Sequence, residues 1–187
     1  DHIKFMKILS IETSFYYTVI TIFEVHPPRV RAKDALTGAS FEILADSLAS
    51  QTKIHAEYGG VFPMLAKREH IKNLPILLET ILRKTRLEKK KKPVDVVAVT
   101  YGPGLEPSLW TGIVFAQELA KKWNVPLVPV NHMEGHILSV FGKNKGSFKI
   151  QKINFPALAL LVSGGHTELV LIKDWMKYEV IGKTLDD

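Results

Sequence analysis

Short apolar runs alternate with longer stretches of helical periodicity along this chain, and the alternation predicts its layering. Ile8 to Glu12 reads as a buried strand. Thr18 to Val25, rich in β-branched and aromatic residues, reads as a second strand, ended by Pro27 and Pro28. Phe41 to Ser47 predicts a third. After a turn at Gly59, Gly60 and Pro63, the residues Leu74, Leu77, Leu78, Ile81 and Leu82 recur at helical spacing and predict a helix from Met64 to about Arg86. Pro75 lies inside it and should kink it or mark a fresh helical start. A lysine run and Pro93 form a linker. Val94 to Thr100 is a strand of the kind buried on both faces. A turn at Gly102-Pro103-Gly104 leads into a helix over Ser108 to Trp123, with Ala116, Leu119 and Ala120 facing inward. Val125 to Val130 is a short strand, and His132 onward is helical to near Gly142. After a basic loop, Ala157–Val162 and Glu168–Ile172 form a hairpin around Ser163-Gly164-Gly165.

Strands followed by alternating helices and strands, then a hairpin, make an α/β layering. The strand hairpin at Glu12–Thr18 ahead of alternating units suggests one half of an actin-like (ribonuclease H-like) fold, a step taken by fold analogy. No repeat of fixed period and no low-complexity tract interrupts it. The apolar fraction of 46% suits a globular core. The chain has no cysteine, which excludes disulfides, thiolate zinc sites and a cysteine nucleophile and fits a cytoplasmic protein. No apolar run reaches membrane-spanning length, and Asp1-His2-Ile3-Lys4-Phe5 is not a signal peptide. Residues 1–5 read as an extension, because Met6-Lys7-Ile8-Leu9 looks like a natural start.

The 25 basic against 19 acidic residues, formally +6, are compatible with a polyanionic partner without demanding one. Much of the excess sits in Lys89-Lys90-Lys91-Lys92 and in Lys143, Lys145, Lys149 and Lys152. Both groups read first as solvated loop charge, with RNA contact as the alternative.

Chemistry gathers in a few short motifs. In His132-Met133-Glu134-Gly135-His136, the histidines are four apart and share a helix face, so both imidazoles can reach one ion. Zinc or iron suits such ligands, though a third protein ligand is then expected. The alternative is a pair of partly buried surface histidines. Their place after the strand end Val128-Pro129-Val130-Asn131 favours the ligand pair, since ligands in α/β sheets gather at the carboxyl ends of strands. The motif is not the zincin H-E-x-x-H: Glu134 sits two residues on, roughly on the opposite helix face, and a peptidase loses its general base. Ser163-Gly164-Gly165 offers a backbone anion nest or an ordinary hairpin turn. Thr100-Tyr101-Gly102-Pro103-Gly104-Leu105 lacks the lysine and hydroxyl of a Walker loop. It reads equally as a phosphate site at a helix N-terminus or as a turn whose glycines permit tight packing. Glu12-Thr13-Ser14 occupies the hairpin that meets phosphate in actin-like ATPases.

Together these residues resemble the tRNA threonylcarbamoyltransferases (TsaD-like), formerly described as sialoglycoprotein endopeptidases. The resemblance is carried by Ile8–Ser14, Ala49-Ser50-Gln51, His55–Val61, Arg68-Glu69-His70, Gly102–Leu105, His132–His136 and Leu161–Thr167, in order over residues 6–187. It implies a two-lobed actin-like fold, with this chain as the N-terminal lobe and the start of the second. It also implies transfer of threonylcarbamoyl from threonylcarbamoyl-adenylate to the exocyclic amine of the adenosine beside the anticodon of tRNA. His132 and His136 would then ligate a divalent metal, iron or zinc, and Leu161, Val162, Ser163, Gly164 and Gly165 would line the adenylate or another adenine nucleotide. No side chain stands out as general base. Implied partners are tRNA together with a TsaB-like paralogue and a TsaE-like ATPase in bacteria, or a kinase-containing complex in archaea and eukaryotes. The surface of the Met64–Arg86 helix offers itself to a paralogue or a homodimer, against a plainer reading as core packing.

The chain departs from the family in two places. Where the family continues Glu-Thr-Ser with a cysteine and two acids, this chain has Phe15, Tyr16 and Tyr17. It also ends at Leu185-Asp186-Asp187, where an Asp-Ala-x-Gly-Glu-like motif would begin, so a third metal ligand, an aspartate, belongs to a further lobe and this chain alone should not turn over. These departures motivate a second reading, a non-catalytic TsaD-like scaffold; the retained histidine pair argues against it. A metallopeptidase is the third reading, disfavoured by Glu134.

Overall fold

The computed structural model describes residues 5–27, 38–140, 147–149, 153–162 and 167–184. The strands β1 (Met6–Glu12), β2 (Tyr17–His26) and β3 (Ser40–Ser50) come first, followed by helices α1 (Thr52–Ala56) and α2 (Pro63–Lys84). Then come β4 (Val96–Gly102), α3 (Glu106–Trp123), β5 (Leu127–Asn131), α4 (His132–Ser139), β6 (Ser147–Lys149) and the strands β7 (Ala157–Val162), β8 (Thr167–Asp174) and β9 (Lys177–Lys183). One sheet has the order β5-β4-β1-β2-β3-β6, and a second, smaller one has β7-β8-β9. In the larger sheet β1, β4 and β5 run parallel, while β2 and β3 return antiparallel beside β1.

Alternation along the strands decides which side chains reach the core. Leu9 and Ile11 pair in register with Ile22 and Ile20 across β2 and with Val97 and Val99 across β4. All six are buried, under the inner faces of α2 (Leu74, Leu77, Ile81) and α3 (Ala116, Leu119, Ala120). Each such aliphatic side chain removed from water contributes about 1.5–3 kcal/mol before entropy is counted. The intervening residues, Ser10 and Glu12 on β1 and Thr100 on β4, therefore turn to the other face. That parity takes the one carboxylate of β1 out of the core and delivers it to the strand's carboxyl end.

Pro75 sits inside one continuous α2, so the fresh start allowed by its sequence is not found. The proline is exposed, and the Ile71 carbonyl it leaves without a donor lies on the outer side, while Leu74 and Leu77 on either flank anchor the helix. Pro63, by contrast, opens the helix at N1, where a missing N–H costs nothing. Asn124 ends α3 in the left-handed region at φ 52°, a conformation asparagine tolerates. Helix α4 stops at Ser139, short of the expected Gly142, which lies outside the described residues. α1, β6 and β9 had no counterpart in the sequence reading. Among the described residues no helix is long and apolar enough to cross a membrane.

Two glycines set how closely α3 approaches the β1–β2 turn. A Cβ on Gly112 would stand 2.3 Å from Thr13 Oγ1, and one on Gly104 would stand 2.6 Å from the Ser14 carbonyl oxygen. Thr13 cannot simply rotate away, because its hydroxyl donates to Ser108 O at 3.0 Å and the residue is fully buried. Gly112→Ala should therefore destabilise the fold by about 1–3 kcal/mol, outweighing the roughly 1 kcal/mol that alanine gains in a helix interior. Thermal denaturation of the variant checks this.

Candidate metal and substrate site

The parallel strands β1, β4 and β5 end side by side, and the candidate site is built where they end. Glu12 closes β1, Thr100 lies near the end of β4, and Asn131 closes β5 and caps α4. The Asn131 side chain accepts hydrogen bonds from Met133 N at 2.8 Å and Glu134 N at 3.2 Å. That cap starts the helix at His132, so the first imidazole projects straight over the strand ends.

His132 and His136 come together as their spacing predicted: their Nε2 atoms are 3.0 Å apart. Two imidazole nitrogens on one zinc-like ion, each about 2.0–2.1 Å from it, stand about 3 Å from one another. The donor set thus fits a divalent metal. Among the described residues no group of three or more potential ligands forms.

Behind the pair stands Glu12 of the β1–β2 hairpin, whose link to the histidines no local sequence pattern shows. Its Oε2 lies 3.0 Å from His132 Nδ1 and accepts from Thr100 Oγ1 at 2.6 Å, while Oε1 accepts from Ser14 N. Burial raises the Glu12 pKa, but hydrogen bonds from His132, Ser14 and Thr100 overcome it and hold the carboxyl at about 2. His132 moves the other way: the hydrogen bond to Glu12 raises its pKa against the opposing pull of burial. The only sequence signal for this contact was parity, a lone acid on the outward phase of β1.

Glu134 N donates to the Asn131 cap at 3.2 Å. Its charge helps to raise the pKa of Tyr178 on β9, secondary to burial.

The glycine-rich turn before α3 resolves in favour of tight packing. Leu105 N donates to Ser14 O at 2.8 Å, and Ser108 N and Leu109 N both donate to Leu105 O. Pro107 has no N–H to offer. Leu105 N is thus spent on the β1–β2 turn, and Ser108 N and Leu109 N on the first turn of α3 itself.

A buried polar chain fixes that turn from behind. His70 is fully buried; its Nε2 lies 2.7 Å from Phe15 O, a pure acceptor, so Nε2 carries the proton. Nδ1 then accepts from Thr18 Oγ1 at 2.8 Å. Gln51 extends the chain, accepting from His55 Nε2 at 3.0 Å, while His55 Nδ1 accepts from Phe62 N at 3.2 Å. His70 falls on the inner phase of α2 with Ala66, Leu74 and Leu77, a spacing that could have marked it as buried. Beyond the pinned backbone, Phe15 and Tyr17 are exposed, and Tyr16 packs between them and near His55.

Of the expected substrate-lining residues, Leu161 joins the small core with Ile137 of α4 and Val170 of β8. Val162 is exposed, while Ser163, Gly164 and Gly165 lie outside the described residues. α4 packs against β7 as well as β5, so one helix carries the histidines and borders the strand that leads into the expected nucleotide loop. Lys89–Lys92 are exposed; Lys143, Lys145 and Lys152 fall outside the described residues, as does the side chain of Lys149.

Known proteins match this arrangement. The fold is similar to YeaZ from Pseudomonas aeruginosa, with a TM-score of 0.50 at 13% identity over 97% of this chain and 67% of that one. It is similar also to an uncharacterized protein related to peptidase YEAZ from the same organism, with a TM-score of 0.51 at 13% identity over 96% and 65% of the two chains. These likenesses support the actin-like α/β fold. In sequence, the chain is 41% identical over 182 residues to the tRNA N6-adenosine threonylcarbamoyltransferase of Buchnera aphidicola subsp. Schizaphis graminum (strain Sg), covering 97% of this chain and 47% of that protein. It thus spans about half the length of that relative. The family model for tRNA N6-adenosine threonylcarbamoyltransferase (TsaD) matches residues 42–187, a stretch that holds the paired histidines. With that match over most of its length, the chain belongs to the tRNA N6-adenosine threonylcarbamoyltransferase family.

Proposed function

We propose that this chain forms the N-terminal part of an enzyme that moves the threonylcarbamoyl group from threonylcarbamoyl-adenylate to the exocyclic amine of the adenosine adjacent to the anticodon of tRNA. The observation that carries the reading is the convergence of His132 and His136 Nε2, 3.0 Å apart, over the ends of the parallel strands in a member of this family. His132 and His136 would hold an iron or zinc ion, which when bound would supply the charge that orients the substrate and polarises its carbonyl. Glu12, itself held by Thr100, fixes the first imidazole, and α4 sets the second one turn away. Backbone amides of Ser163–Gly165 are assigned the adenylate phosphate, in keeping with a loop of small residues after β7. A second lobe, beginning with the β7–β8–β9 sheet, supplies the remaining ligand and closes the nucleotide pocket.

The paralogue contact is assigned to the outer face of α2 and α3. Ile71, Trp110 and Val114 are exposed there and line a groove of about 310 Å³ between the helices, flanked by Lys67 and Glu118. Exposed large apolar side chains in a concave patch mark contact surfaces. Trp110→Ala should weaken association with a TsaB-like paralogue, or self-association, at least tenfold in analytical ultracentrifugation while leaving the far-ultraviolet circular dichroism unchanged.

Joining the chain to its C-terminal half, in one polypeptide or in trans, and supplying labelled adenylate and tRNA tests the activity. Label should appear on the adenosine beside the anticodon with both halves and not with this chain alone. Partner binding without any label in tRNA would favour the scaffold.

A further inference from the structure

We propose that Glu12 is the positioning residue of this site, holding His132 in the tautomer and orientation that aim an unprotonated Nε2 at the metal position shared with His136. The inference rests on the metal reading of the histidine pair given above.

The geometry leaves the carboxylate little freedom. Oε1 accepts from Ser14 N, and Oε2 accepts from Thr100 Oγ1 at 2.6 Å. With those donors in place, the atom that meets His132 Nδ1 at 3.0 Å is an ionised oxygen that can only accept. Nδ1 must then carry the proton, and in a neutral ring Nε2 is left with its lone pair. Ser14 Oγ, at 3.4 Å from the same Nδ1, is too distant to set the tautomer in its place. Carboxylate–histidine pairs of this kind orient metal ligands and raise their basicity, and losing the carboxylate typically lowers metal affinity about 10- to 100-fold.

Glutamine at this position makes a sharp probe. If its amide oxygen meets Ser14 N, its NH₂ faces His132 and Nδ1 must accept; the ring proton then moves to Nε2 and blocks the metal position. If the oxygen faces His132, the NH₂ opposes the Ser14 N–H. Either arrangement spoils the hold without removing volume.

The test uses Co²⁺ as probe on wild type, Glu12→Gln and His132→Ala/His136→Ala, each joined to its second lobe, with affinity read by calorimetry and the metal-free His132 tautomer by ¹⁵N resonance. Expected are Co²⁺ uptake by wild type that the double variant loses, a 10- to 100-fold weaker affinity in Glu12→Gln, and a His132 signal that leaves the Nδ1–H tautomer only in Glu12→Gln. A purely structural role would lower the melting temperature and leave the tautomer in place. Equal affinity and tautomer in wild type and Glu12→Gln overturn the role of Glu12 while the metal reading stands. No Co²⁺ uptake by the wild-type chain joined to its second lobe overturns the metal reading and this inference with it.

Discussion

His132→Ala or His136→Ala should each weaken Co²⁺ or Zn²⁺ binding by at least 100-fold, beyond the roughly 10- to 100-fold cost of losing a partner behind a ligand. Only one imidazole remains in either variant, and among the described residues no third potential ligand stands by to replace it. The fold should survive, because His136 is exposed and α4 is nucleated by the Asn131 cap and anchored through Ile137. Calorimetric titration beside a thermal melt separates the two effects. An unchanged affinity would place the metal elsewhere on the chain.

His70→Leu should be costly to the fold. It leaves the Phe15 carbonyl and the buried Thr18 hydroxyl without their partner. Each buried group left unpaired costs about 1–3 kcal/mol, so a loss of about 3 kcal/mol is expected. For a domain of this size that is a melting shift of roughly 10 °C. The same residue gives stability a pH dependence. Burial lowers the His70 pKa; the Phe15 carbonyl and the charge of Glu12 oppose this in part, and His55 adds to it. A histidine held neutral in the fold binds its proton more readily in the unfolded chain. The wild type should keep its His70 contribution above the ordinary histidine pKa of 6.5 and lose it as pH falls below that value toward the lowered one. Urea denaturation at pH 7.5 and 5.5 should show a smaller pH difference in His70→Leu than in wild type. An equal difference would mean that His70 does not titrate in this way.

The layering and most of the core were legible in the sequence because they rest on local periodicity. The runs at Ile8–Glu12, Thr18–Val25 and Ala157–Val162 declared strands, and the helical spacing of Ala116, Leu119 and Ala120 an inward face, without any long-range information; the all-apolar Ala157–Val162 did not show which of its faces is buried. The histidine pair was legible for the same reason, being one helical turn apart. What local pattern could not show was pairing across the chain. Glu12 and His132 are 120 residues apart, and only the parallel alignment of β1, β4 and β5 brings them within 3.0 Å. The glycine-rich turn was ambiguous until Ser14 O was found against Gly104 and Leu105 N, a contact made by a loop 90 residues earlier in the chain. Pro75 misled in one of its two readings because propensity is weak beside tertiary anchoring: Leu74 and Leu77 hold the helix through it.

X-ray absorption on the Zn²⁺-loaded chain tests the central claim most directly. Two imidazole nitrogens at about 2.0–2.1 Å, both absent from His132→Ala/His136→Ala, are the predicted result. A first shell without imidazole, or one that the double substitution leaves unchanged, would contradict it.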